Sequence, residues 1–228
     1  MSDELIDKLV REMAEWELPF YFCPFKVNEP LLDKRIIPLC ERMINETLCG
    51  IRFFTNGSPL TDKNIEALAN LKPGRFAQLW VSLNEYRPDE YKALMQLDFE
   101  QTASRLDRLH EYGFPHPVML STVGFPNEDF RRYCYERWPK FESMAIRNTG
   151  WLGQVEAQDY PVPDTECSRW WDLSIMANGI VSMCCMDSEG RFALGDVKKE
   201  TMLEVYSRAR HNRVEKQRNF YPCNTCNY

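Results

Sequence analysis

Three things are scarce in this chain of 228 residues, and each scarcity removes a class of function. Histidine occurs three times, at His110, His116 and His211, with no spacing that suggests a catalytic triad or an imidazole metal site. Positive charge is outnumbered, with 28 lysines and arginines against 34 aspartates and glutamates and a net charge of −6. A nucleic-acid surface needs clustered lysine and arginine to displace counterions, so no nucleic-acid partner is expected. No apolar run approaches the ~20 residues a bilayer requires. The opening Met1-Ser-Asp-Glu-Leu-Ile-Asp-Lys8 is charged and amphipathic, unlike a signal peptide. The chain therefore reads as cytoplasmic, with no membrane partner.

Cysteine, by contrast, is plentiful. An odd count of nine without a secretory signal fits metal ligation plus a few buried thiols better than a disulfide framework. Five of the nine, Cys167, Cys184, Cys185, Cys223 and Cys226, fall in the last quarter. Cys223 and Cys226 are spaced to chelate one centre, and Cys167 and Cys184 complete four-sulfur coordination if a hairpin folds them back. The sequence between supplies that hairpin. Asp172-Leu-Ser-Ile-Met176 alternates as a strand, Asn178-Gly179 is the favoured type I′ turn pair, and Ile180 to Met183 returns towards Cys184. On residue type alone, zinc, an iron–sulfur cluster and unmetallated structural thiols all stay open.

Upstream, helix and strand patterns alternate with short connections. Leu5, Ile6, Leu9, Met13 and Trp16 share one face of a helix over 3–16, capped by Ser2 or Asp3. Strands are expected over 18–27, 51–55, 76–83, 117–123 and 141–147, and helices over 36–46, 62–71, 89–112 and 127–138. Such alternation predicts a five-stranded parallel sheet with crossover helices. Ligands of such sheets sit beyond the carboxyl ends of the strands. That singles out Glu29, Thr55 to Gly57, Ser82 to Asn84, and Arg147 with Asn148.

These positions carry a family resemblance. Cys167, eleven residues, Gly179, four residues, Cys184, then Asp187, Leu194-Gly195-Asp196-Val197 and the closing Cys223-Asn-Thr-Cys226 resemble the SPASM or twitch domain of radical S-adenosylmethionine (SAM) enzymes. The short form of that domain holds one auxiliary 4Fe-4S cluster. The resemblance implies Cys167, Cys184, Cys223 and Cys226 as its ligands, with Cys185 the competitor for the second place and Trp170-Trp171 packed against the cluster. Val27-Asn-Glu29-Pro-Leu-Leu32 is similar to the second-strand Gly-Gly-Glu-Pro-Leu motif, although both glycines are absent, and implies contact of Glu29 with the SAM amino group. Phe54-Thr55-Asn56-Gly57 resembles the Thr-Asn-Gly turn after the third strand, and Val81-Ser82-Leu83-Asn84 the fourth-strand end near the SAM ribose.

The implied fold is α/β: a partial TIM-like barrel over 1–155, read from its second strand onward, and a small domain of a β-hairpin plus helix over 156–228. No Cys-x-x-x-Cys-x-x-Cys, the motif that anchors the SAM-cleaving cluster in this family, occurs in the sequence. Two expectations follow. Either the chain begins just past that loop, with the first strand and cluster supplied from elsewhere or by a partner, which leaves the apolar Phe20 to Phe25 as an edge strand. Or it is a relative that keeps the auxiliary cluster without cleaving SAM. The complete form would be a SAM-dependent radical enzyme modifying a peptide or small molecule with the help of an electron donor. The alternative is a non-catalytic cluster-binding or substrate-carrying accessory.

Overall fold

The computed structural model describes residues 1–124, 127–156, 161–216 and 218–228. It divides into two compact units, one of Trp16–Ile146 and one that joins Met1–Glu15 to Arg147–Tyr228. The chain opens with helix α1 (Asp3–Ala14), whose apolar positions bury Leu5, Leu9, Val10 and Met13. Ser2 caps it, its Oγ accepting from the Leu5 N–H at 3.3 Å and so satisfying one of the donors a helix start leaves open.

In the Trp16–Ile146 unit the strands β1 (Phe20–Phe22), β2 (Cys49–Thr55), β3 (Phe76–Ser82), β4 (Val118–Val123) and β5 (Glu142–Ile146) form one sheet in the order β1-β2-β3-β4-β5. Every neighbouring pair is parallel. The crossovers carry α2 (Ile36–Glu46), α3 (Asp62–Ala69), α4 (Pro88–Met95), α5 (Phe99–Tyr112) and α6 (Glu128–Arg137). Sequential order without closure is the pattern of a partial barrel. Alternation in β2 sends Ile51 and Phe53 into the core with Leu79, Val81 and Leu120, all fully buried, while Arg52 points to solvent.

Two expected elements are shorter than the pattern suggested. The strand expected over 18–27 pairs only over Phe20–Phe22. Pro19 and Pro24 flank it and donate nothing to a ladder, and the Phe25 N–H turns back onto the Cys23 carbonyl at 2.8 Å. The single helix expected over 89–112 is two. Gln96 adopts a left-handed conformation (φ 56°) that ends α4, and Asp98 starts α5 by accepting from the Gln101 N–H at 2.7 Å.

The other unit contains a second, antiparallel sheet of β6 (Ser174–Ile175), β7 (Ile180–Ser182) and β8 (Ala193–Asp196), followed by α7 (Met202–Lys216). The expected type I′ turn is a different one. Gly179 has positive φ (88°) but Asn178 does not, and the Gly179 N–H bonds to the Met176 carbonyl at 2.9 Å. This is a three-residue loop with glycine in the left-handed place, the next commonest hairpin connection. The strand β8 was not expected. It exists because Gly195 admits α7: a Cβ there would sit 2.7 Å from a Val205 methyl. Asp187, fully buried, holds the loop before β8 by accepting from the N–H groups of Arg191 at 2.8 Å and Phe192 at 3.0 Å. In the same unit Glu12 of α1 accepts from the Met202 N–H at 2.7 Å, setting a carboxylate at the positive end of α7.

Candidate functional site

At the carboxyl edge of the parallel sheet, three of the expected SAM contacts are joined by hydrogen bonds. Glu29 Oε1 accepts from Thr55 Oγ1 at 2.9 Å and from the Leu31 N–H at 3.2 Å, and Oε2 accepts from the Asn56 N–H at 2.7 Å. The carboxylate thus ties the turn after β1 to the end of β2, and its remaining acceptor capacity lies on Oε2. Asn56 spends its own Oδ1 on the Ser58 N–H at 2.9 Å, an Asx turn. Gly57 follows with φ 82°, where a Cβ would meet Val81 and Thr102 at 3.1 and 3.2 Å. The register pairs Thr55 with Val81 and Ser82 with Ser121, so these residues share one edge. Asn84 sits there in a left-handed conformation (φ 64°), its N–H bonded to the Ser121 carbonyl at 2.8 Å and its carbonyl accepting from Thr122 Oγ1 at 2.6 Å. Its side-chain Oδ1 is buried without a partner. A buried, unsatisfied acceptor costs about 1–3 kcal/mol, so this oxygen is a place where a ligand donor would be welcome.

The second constellation lies in the other unit. Cys167, Cys184, Cys223 and Cys226 line one cavity with Leu152, Trp170, Met183 and Arg218. Three local structures deliver the four sulfurs. Cys167 opens the short 3-10 turn Ser168–Trp171, Cys184 follows the end of β7, and Cys223 and Cys226 bracket the terminal 3-10 turn. Cys185 is half-buried and is not among the lining residues. The free space between the side chains is about 20 Å³, enough for about one water. Among the described residues, no three histidine, cysteine, aspartate or glutamate side chains meet closely enough to hold a single ion. The four thiols ring a void instead.

Burial pushes the Cys184 thiol up to about 12, with Cys185 and Cys226 adding to the rise. Cys223 is raised by burial too, and further by Cys226 and Cys167. The couplings show that these sulfurs lie within electrostatic reach of one another. They also show that ligation here must displace protons, as thiolate sites generally do. Trp170 is 2 % exposed, whereas Trp171 is 44 % exposed and carries the Arg210 guanidinium over its ring at 4.5 Å. Of the expected tryptophan pair, Trp170 reaches the cavity and Trp171 packs outward.

Three lining residues were not foreseen, Met183 just past β7 among them. Leu152 is delivered by consecutive left-handed residues, Trp151 (φ 46°) and Leu152 (φ 57°), a conformation that costs roughly 1–2 kcal/mol for each non-glycine residue. Arg218 donates through Nε to the Thr165 carbonyl at 2.8 Å, and through its two Nη atoms to the carbonyls of Cys226 and Tyr228 at 3.1 Å. Its cation thereby pins the terminal segment that carries two of the thiols. His116 stacks on Phe76 at 4.6 Å and is held below the usual histidine range by burial. His110 meets Phe141 edge-on at 5.4 Å. Both are packing residues.

With these sites described, the likeness to known proteins can be placed on them. The family model for the radical SAM superfamily matches residues 1–133, more than half of the chain. The chain belongs to the radical SAM superfamily. A second model, SPASM, an iron–sulfur cluster-binding domain, matches residues 167–227, a span that includes all four cavity cysteines. No curated protein sequence matches the chain. Among solved structures this radical SAM chain is similar to BtrN in complex with AdoMet and 2-DOIA, with TM-score 0.66 and 13% identity over 100% of this chain and 80% of that one. It is similar to native anSMEcpe with bound AdoMet, TM-score 0.61 and 12% identity over 93% and 73%. It is also similar to Streptococcus suis SuiB, TM-score 0.59 and 12% identity over 89% and 58%. At such identities the likeness establishes the radical SAM fold alone. Members of these families bind iron–sulfur clusters and SAM. Among the described residues no helix is long and apolar enough to cross a membrane.

Proposed function

We propose that the chain is an iron–sulfur protein holding one 4Fe-4S cluster through Cys167, Cys184, Cys223 and Cys226, the auxiliary cluster of a radical SAM protein acting on a peptide or small molecule. The observation that carries this reading is that four thiols from three places in the chain line one cavity inside the span matched by the SPASM model. The donor set fits the group, since thiolates are the ligands of such clusters. When bound, the cluster would supply a one-electron couple.

The chain's own residues do the rest. Arg218 holds the terminal thiol pair in place and sets a positive charge beside the thiolates. Trp170, Met183 and Leu152 exclude water from the cavity. In the sheet unit, Glu29, Thr55 and Asn56 form a bonded turn that offers an acceptor on Glu29 Oε2, and Asn84 offers its buried Oδ1. With Ser82 at the same edge, these groups are suited to orient the amino and ribose hydroxyl donors of SAM. Cleavage of SAM by this chain requires a further cluster, whose Cys-x-x-x-Cys-x-x-Cys motif its sequence does not contain. That sequence observation favours a second reading, a cluster-binding or substrate-carrying accessory that works with an electron donor and a partner.

Anaerobic reconstitution of the full chain with iron and sulfide tests the proposal. One cluster per chain is expected, lost in Cys226→Ala and kept in Cys185→Ala. Uptake of zinc alone with the four ligands intact would refute the cluster reading. Release of 5′-deoxyadenosine from SAM under reducing conditions separates the enzyme from the accessory.

A further inference from the structure

The cavity holds one polar group whose hydrogen-bonding capacity the chain leaves unused. Trp170 is 2 % exposed and lines the cavity, and its Nε1 closes no hydrogen bond. Buried donors are nearly always paired, and each exception asks for an explanation such as an ion or a group not of the chain. A phenylalanine would seal the cavity equally well without stranding an N–H. Around that N–H the same cavity is lined by four sulfurs, those of Cys167, Cys184, Cys223 and Cys226. A neutral thiol is a weak acceptor, but a ligating thiolate is a strong one, and bonds to ionised partners are roughly twice as strong as neutral ones. The unused donor therefore has a use once the lining sulfurs are ligating thiolates.

Resting on the reading that the four cysteines hold a cluster, we propose that the Trp170 indole N–H donates to a ligating sulfur of that cavity and raises the reduction potential of the cluster. Reduction adds one negative charge to the cluster and its sulfurs, so a donor aimed at a ligand sulfur stabilises the reduced form more than the oxidised one. Hydrogen bonds to sulfur are among the determinants of cluster potential. Trp170 is thus a positioning and tuning residue and touches no substrate. Arg218 differs, because it already donates to the carbonyls of Thr165, Cys226 and Tyr228.

The test uses the full chain, reconstituted anaerobically and titrated with dithionite against mediators while the reduced cluster is followed by electron paramagnetic resonance. Trp170→Phe keeps the aromatic packing and removes the N–H. The variant cluster should be about tenfold harder to reduce, a midpoint about 59 mV more negative for one electron. Wild-type protein carrying 15N-indole tryptophan should show a nitrogen hyperfine coupling to the reduced cluster, absent in Trp170→Phe. This second measurement decides the matter even if the variant assembles poorly, because it is made on the native chain. A loaded wild-type cluster with no nitrogen coupling, or an unchanged midpoint in a loaded variant, overturns the tuning role and leaves the cluster reading standing. Failure of the wild type to take up iron and sulfide overturns both.

Discussion

The two units of this chain reach order by different means. The Trp16–Ile146 unit is a sheet of five parallel strands whose inward residues, Ile51, Phe53, Leu79, Val81 and Leu120 among them, are fully buried. Apolar burial at roughly 25 cal/mol per Å² is enough to hold such a layer. The unit of Met1–Glu15 and Arg147–Tyr228 has strands of two to four residues, and its core mixes Val181, Val197, Met202 and Val205 with the buried thiol of Cys167 and the buried carboxylate of Asp187. One unit supplies its own cohesion; the other includes a cavity whose lining is sulfur. The second is therefore expected to borrow stability from what it binds, as ligand linkage dictates.

The largest effect should come from removing that ligand. Thiolate metal sites couple binding to folding with free energies on the order of 10 kcal/mol. Chelating the iron from the reconstituted protein should open the cysteine-bearing unit and leave the sheet almost untouched. Amide hydrogen exchange checks this: protection at Val181 and Val205 should fall steeply, while Phe53 and Leu120 keep theirs. Equal loss in both units would break the contrast. The converse experiment acts on the sheet. Phe53→Ala removes a fully buried ring and should cost about 3–5 kcal/mol, read as a lower urea midpoint of the sheet transition, with cluster content per folded chain unchanged.

How much of this was legible in the sequence follows the same division. In the sheet unit the period of apolar residues located α2 over Ile36–Glu46 to the residue and put all five strands in their places. What it missed were local events: prolines 19 and 24 trimming β1, and a left-handed Gln96 dividing α4 from α5. In the cysteine-bearing unit the spacing of the thiols was visible, but the cavity wall was not. Leu152 is placed by left-handed backbone at Trp151 and Leu152, residue types that give no sign of it, and Arg218 works through the carbonyls of Thr165, Cys226 and Tyr228, which any sequence offers. Glu29 shows the same limit at the sheet edge. Its bonds to Thr55 and Asn56 span 26 and 27 residues, so their formation depends on two parallel strands lying side by side, which local pattern does not encode.

The smallest effect sharpens the contrast by showing that charge is an accessory to the sheet unit's stability. Asp107 on α5 accepts from Arg137 Nε at 2.9 Å and Nη2 at 2.8 Å, and from the indole N–H of Trp138 at 2.8 Å. The bonds from Arg137 foremost, then the one from Trp138, hold its carboxyl below the usual aspartate range, against burial, which acts to raise it. A carboxylate depressed on folding contributes stability that is present above its unfolded value of about 4 and is lost as pH falls through the lower folded value. The pair is about one-third exposed, at 31% and 36%, so solvent screening limits it to about 1 kcal/mol. Asp107→Asn should therefore lower the thermal midpoint of the sheet unit by a few degrees at pH 7. The gap between variant and wild type should narrow as the pH is taken below 4, because the wild-type carboxylate is then neutralised as well. A gap that stays constant down to pH 2 would mean that the side chain acts through packing and the neutral hydrogen bond alone, and the ion pair would have no part in holding α5 to α6.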